Sequence, residues 1–116
     1  MQLPTIEDVT AARDALRGIA IRTPLVRLNG RSSGPAIWLK LENLQPTGSF
    51  KLRGAAAVLA GAAQGDVAAG IVTASAGNMG LGAAWFARRL GVRCTVLVPP
   101  TAPPSKIAAM ENFGAT

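Results

Sequence analysis

A single lysine, Lys51, stands between the turn residues of PTGSF and an alanine-rich run, and it is the only lysine between Lys40 and Lys106. The stretch from Phe50 to Ala63 is rich in alanine and leucine and predicts a helix. Lys51 therefore falls at a helix start, where the peptide dipoles disfavour a cation by roughly 0.3–1 kcal/mol. Two readings of the residue stand side by side. Either its ammonium is solvated and indifferent to the position, or its amine is an imine-forming nucleophile. On the second reading the helix start, the apolar Phe50 and the nearby Arg53 all disfavour the charged form and free the amine to attack an aldehyde.

A second polar stretch, TASAGNMG, lies between the apolar IVTA and a helical run from Leu81 to Leu90. Backbone N–H groups at such a junction favour an anion. Ser75 and Asn78 add side-chain hydrogen bonds there, and Gly77 lets a ligand approach the backbone closely. Plain helix capping by Ser75 or Asn78 explains the same residues. The glycines at 77, 80 and 82 do not reproduce the G-x-G-x-x-G dinucleotide loop. With no histidine and one cysteine, Cys94, the chain offers neither a zinc site nor His-based catalysis. Chemistry is left to Lys, Ser, Thr, Asn, carboxylates or a bound cofactor.

Elements must hold these residues in place. Thr5 and Asp8 form a capping-box pattern, with Ile6, Val9, Ala12 and Leu16 at helical spacing behind it and a stop near Gly18. RTPLVRL reads as extended chain, because Pro24 biases Thr23 away from helix. NGRSSGP is a turn-rich hairpin or loop, and AIWLKLE, Ala36 to Glu42, reads as a strand. Residues 62–70 mark a boundary between subdomains. Then come strand IVTA, helix 81–90, strand CTVLV and a helix over 105–113 closed by Gly114, with no strand after it. Strand–helix–strand–helix with continuous apolar strands means a parallel sheet covered on both faces and joined by right-handed crossovers, although a two-strand unit leaves its edges open and its faces partly uncovered.

The totals exclude further classes. Twelve basic against six acidic residues give +6 over 116 residues, but the arginines are scattered and the aromatics do not alternate with them. That argues against nucleic acid. No apolar run reaches the roughly 18 residues of a membrane span, and no signal peptide is apparent. Cys94 reads as a reduced core residue, so the expected compartment is the cytoplasm.

Taken together, KLENLQPTGSFKLRGA, TASAGNMG and VLVPPTAPPSKIAAMENFGA resemble the fold-type II pyridoxal-phosphate enzymes, and most closely the threonine/serine dehydratase and serine racemase branch. The resemblance implies a tryptophan synthase β-like α/β fold with pyridoxal 5'-phosphate as cofactor. It implies that Lys51 is the Schiff-base lysine, that Phe50 packs against the cofactor and that Asn78 meets the ring oxygen. Ser75, Ala76, Gly77 and Met79 would grip the carboxylate of a small amino-acid substrate. The implied reaction is β-elimination from a hydroxy amino acid such as threonine or serine, giving a 2-oxo acid and ammonium, with racemisation or β-replacement as alternatives. Residues 1–64 would belong to the large cofactor domain and 65–116 to the smaller one. The family's glycine-rich phosphate loop and pyridine-nitrogen partner fall beyond residue 116, so the chain reads as the N-terminal portion of a longer, homo-oligomeric enzyme, incomplete and inactive alone, with a non-catalytic fragment lacking the phosphate site as the alternative. Met79 stands where many relatives carry histidine.

Overall fold

Thr5 opens the first helix, α1 (Ile6–Ala15), through a complete capping box: Thr5 Oγ1 accepts from the Asp8 N–H at 3.2 Å, and Asp8 accepts from the Thr5 N–H at 2.8 Å. The computed structural model describes residues 3–28, 34–62 and 64–116. No residue of α1 is buried, but Leu16 just beyond it packs with Ala56 and Phe86 and anchors the helix.

Strands β1 (Leu25–Arg27) and β2 (Trp38–Lys40) pair antiparallel, Leu25 opposite Lys40 and Arg27 opposite Trp38. The strand expected over 36–42 is thus shorter. Leu41 still donates to the Pro24 carbonyl at 3.1 Å, but Pro24 has no N–H to return the bond, and the ladder ends there. Glu42–Leu44 then turn as a 3-10 helix. The turn-rich stretch 29–35 lies largely outside the described residues.

Helix α2 (Lys51–Gly61) begins at the expected lysine and ends one residue before Ala62, which is already extended. Residue 63, the expected last residue of that helix, lies outside the described residues. A short helix, α3 (Gln64–Ala68), occupies the stretch read as a boundary. Its glycine, aspartate and valine are poor helix formers, so no propensity signal announced it.

The second half is one crossover unit. Strands β3 (Ile71–Ala74) and β4 (Cys94–Leu97) run parallel, in register from Ile71–Cys94 to Ala74–Leu97, and α4 (Asn78–Leu90) connects them. Helix α4 starts three residues earlier than the sequence suggested, so Asn78 and Met79 belong to its first turn. Helix α5 (Pro104–Glu111) follows, with proline in its first position, where the missing N–H is no loss. Gly114 turns the chain back at φ +85. No strand follows it among the described residues, as expected, but the last residues form a single bridge. Val96 donates to the Thr116 carbonyl at 2.7 Å and Thr116 donates to that of Cys94 at 2.9 Å, so Ala115 and Thr116 take a parallel place beside β4. Two residues are too few to show a period.

Helix α4 is the centre of the core. Leu81, Ala83, Ala84 and Ala87 pack with Cys94, Met110 and Ala115. Burial pushes the Cys94 thiol up, in keeping with a packing role. Among the described residues helices cover one face of the β3–β4 sheet and not the expected two: Val72 and Leu97 on the other are 71% and 60% exposed. Among the described residues no helix is long and apolar enough to cross a membrane.

Two glycines in α4 permit these contacts. A Cβ on Gly82 would stand 3.3 Å from Ala55 Cβ on α2. At Gly80 it would meet Ser75 O and Met110 Sδ, both at 2.8 Å, and Val96 Cγ1 at 3.1 Å. Gly80→Ala is therefore expected to destabilise the fold by about 1–2 kcal/mol in denaturant unfolding. Trimming Met110 to alanine in the same protein should not restore stability, because Ser75 O is backbone and cannot yield.

Candidate active site

The lysine loop is built on one carboxylate. Glu42 accepts from Arg53 Nε at 2.7 Å and Nη2 at 2.8 Å, from the Thr23 hydroxyl, and from Gln45 Nε2 at 3.3 Å, with Lys40 Nζ at 3.8 Å. The Arg53 hydrogen bonds, helped by that from Thr23 and opposed by burial, hold the Glu42 carboxyl down to about 2. Gln45 clasps Ile21 from both sides, accepting its N–H at 3.0 Å and donating to its carbonyl at 2.8 Å. Lys40 Nζ also bonds the Thr23 carbonyl. The approach to β1, the 3-10 turn and the first turn of α2 are thereby tied together.

Between these anchors the chain makes a tight turn at Gly48, φ +69, a conformation side chains rarely adopt. Ser49 Oγ then accepts the Lys51 N–H at 3.3 Å. Lys51 is exposed at the first position of α2, with Nζ 4.9 Å from the centre of the exposed Phe50 ring. Arg53 is matched by Glu42, and the Phe50 ring face attracts a cation. Thr47 is buried, and its hydroxyl has no partner among the described residues.

The second loop leaves β3 at Ala74. Ser75 donates its N–H to the Leu97 carbonyl at 3.0 Å, and its Oγ accepts from Gly77 N–H at 3.3 Å and Gly80 N–H at 3.0 Å. Ser75 thus takes the capping role, and Asn78 does not. Asn78 Oδ1 instead accepts from Lys106 Nζ at 2.7 Å. The N–H groups of Asn78 and Met79 find no acceptor among the described residues, as the first turn of a helix requires of some donors. Ala76 and Gly77 are half-buried, while Asn78 and Met79 are exposed.

The two loops share one end of the molecule. Met79 Cε lies 4.0 Å from where a Cβ would stand on Gly54, Gly82 abuts Leu52 and Ala55, and Phe86 shares a cluster with Ala56. The first turn of α2, with Leu52 and Gly54, therefore packs against the first two turns of α4. An exposed amine and a helix start with free N–H groups are thus neighbours. Among the described residues no cluster of His, Cys, Asp and Glu could hold a metal ion.

The family model for pyridoxal-phosphate dependent enzymes matches residues 16–116. The chain belongs to this family. The relatives it matches include the L-threo-3-hydroxyaspartate ammonia-lyase of a Pseudomonas species, 42% identical over all of this chain and 37% of the relative. The L-threonine ammonia-lyase of Thermotoga maritima is also 42% identical, over 96% of this chain and 28% of its own length. Maize serine racemase superposes with a TM-score of 0.90 at 27% identity, covering 99% of this chain and 36% of that structure. The chain spans about a third of the length of the relatives it matches, and its fold is that of fold-type II pyridoxal-phosphate enzymes.

The residues present fit the family's cofactor. An exposed primary amine suits its aldehyde, the Asn78 amide and the free N–H groups suit oxygens, and the unpartnered Thr47 hydroxyl leaves a polar group for the loop beside it. Sequence reasoning singled out Lys51, Phe50 and the 75–79 loop but missed Glu42, Gln45 and Lys106. Glu42 and Gln45 stand inside the quoted string KLENLQ, so their types were visible while their bonds to Thr23 and Ile21 were not.

Proposed function

We propose that this chain is the part bearing the lysine and the substrate loop of an enzyme for pyridoxal-phosphate-dependent elimination on a hydroxy amino acid, which releases a 2-oxo acid and ammonium. What supports the reading most is the pairing of Lys51, alone and exposed at the start of α2, with the adjacent start of α4. Bound there, pyridoxal phosphate supplies an electron sink for the charge left when a proton departs the substrate α-carbon. Lys51 Nζ would be the amine that holds the cofactor and, when free, the base that takes the substrate α-proton. Asn78 meets the ring oxygen. The loop of Ser75, Ala76, Gly77 and Met79 receives the substrate carboxylate, with Ser75 holding the loop's shape by its two hydrogen bonds and Asn78 and Met79 offering N–H groups. Phe50 packs at the cofactor's edge. Net, a β-hydroxyl leaves, water returns, and the amino nitrogen is freed. Under this reading residues 1–64 belong to the large cofactor domain and 65–116 to the smaller domain that carries the substrate loop, in a cytoplasmic homo-oligomer.

The test is a substrate panel. The enzyme at the full length of its relatives, with pyridoxal phosphate, is given L-serine, L-threonine and L-threo-3-hydroxyaspartate, and 2-oxo acid and ammonium are measured together. Equimolar appearance of both from at least one of them is the expected outcome. The resemblance to serine racemase favours a second reading, in which optical activity is lost without ammonium. Release of neither product, with optical activity intact, would sink both.

A further inference from the structure

We infer that Lys106 is a positioning residue for this site: it fixes the side-chain amide of Asn78 so that Nδ2 stands as a free donor, and it adds a positive charge beside it. The inference rests on the reading of Asn78 as the group that meets the cofactor's ring oxygen. Its first support is the 2.7 Å contact between Lys106 Nζ and Asn78 Oδ1. An ammonium has donors only, so the amide atom facing it is the oxygen. That decides an orientation which an amide alone leaves open. With the oxygen engaged, the two Nδ2 hydrogens are what the side chain has to offer, and they suit an anionic oxygen.

The second support is electrostatic. Lys106 lies in the first turn of α5, as Lys51 lies in the first turn of α2, and both are places where helix dipoles disfavour a cation. Neither lysine forms an ion pair among the described residues. Lys106 reaches across to the first turn of α4, so it adds its charge where two N–H groups already lack acceptors. An anionic ring oxygen beside Asn78 answers both the charge and the free donors.

The experiment is a double-mutant cycle on cofactor affinity, measured by fluorescence titration of the cofactor-free protein with pyridoxal phosphate, with circular dichroism to verify folding. Lys106→Met is expected to weaken binding about tenfold, the size of one charge-assisted hydrogen bond. Asn78→Ala should weaken it comparably, and Lys106→Met added to Asn78→Ala should weaken it little further, since the lysine acts through the amide. Lys106→Arg keeps a donor and a charge and should retain most of the affinity, which keeps the test valid if the methionine variant folds poorly. Losses that multiply in the double variant, or an affinity indifferent to Lys106, would overturn the inference while a borohydride-stable adduct at Lys51 still formed. Absence of that adduct in the unaltered protein would overturn the parent reading, and this one with it.

Discussion

Lys51→Ala is expected to lower the elimination rate by at least about 10²–10⁴-fold, the usual contribution of a positioned proton-transfer group alone. The loss should exceed that range if the same amine also holds the cofactor. Lys51→Arg should be no better, because a guanidinium stays protonated and is a poor nucleophile. Stability should hardly move. Lys51 is exposed, makes no ion pair among the described residues, and touches chiefly the ring of Phe50, so its removal belongs with surface substitutions within about 0.5 kcal/mol. A large drop in rate at constant unfolding midpoint is the signature. A variant that keeps its rate would remove Lys51 from the chemistry.

Glu42→Gln should do the reverse, acting on the fold before the chemistry. The substitution keeps the shape but removes the charge that two Arg53 hydrogen bonds and the Thr23 hydroxyl address. It leaves a partly buried guanidinium uncompensated, at a cost of about 2–4 kcal/mol near neutral pH. The pH dependence follows from the direction of the shift. Glu42 ionises at about 2 in the folded chain against 4.5 ordinarily, so its stabilisation is complete above about 4.5 and is lost as pH falls through that value toward 2. Denaturant unfolding of the unaltered protein should show this decline, and Glu42→Gln should flatten Glu42's share of it. An equal slope in both proteins would show that the carboxylate is not linked to folding as the geometry implies. Where the folded Glu42→Gln protein survives, a loosened α2 start should also slow the reaction, because Lys51 lies two residues from Arg53.

Much of this was legible because local chemistry announced it. The Thr5–Asp8 capping box, the apolar runs of β3 and β4 and the helix start at Lys51 each follow from a few adjacent residues. What was hidden depends on partners far along the chain or on segments too short to have a period. Glu42 read as the end of a strand because its bonds to Thr23 and Arg53 come from 19 residues before and 11 after. Asn78 and Met79 read as loop because a glycine and an asparagine give a weak helical signal, whereas Ser75 caps the turn from outside and lets α4 begin early. Lys106 carried no signal at all. Its role rests on a bond to a residue 28 positions away.

The most direct measurement uses the fact that the chain has only three lysines, Lys40, Lys51 and Lys106. The protein is mixed with pyridoxal phosphate, reduced with borohydride and digested, and the added pyridoxyl mass is located by peptide mapping. The mass should sit on Lys51 and be missing from the peptides carrying Lys40 and Lys106. Its appearance on either of those instead would contradict the assignment of Lys51 as the residue that holds the cofactor.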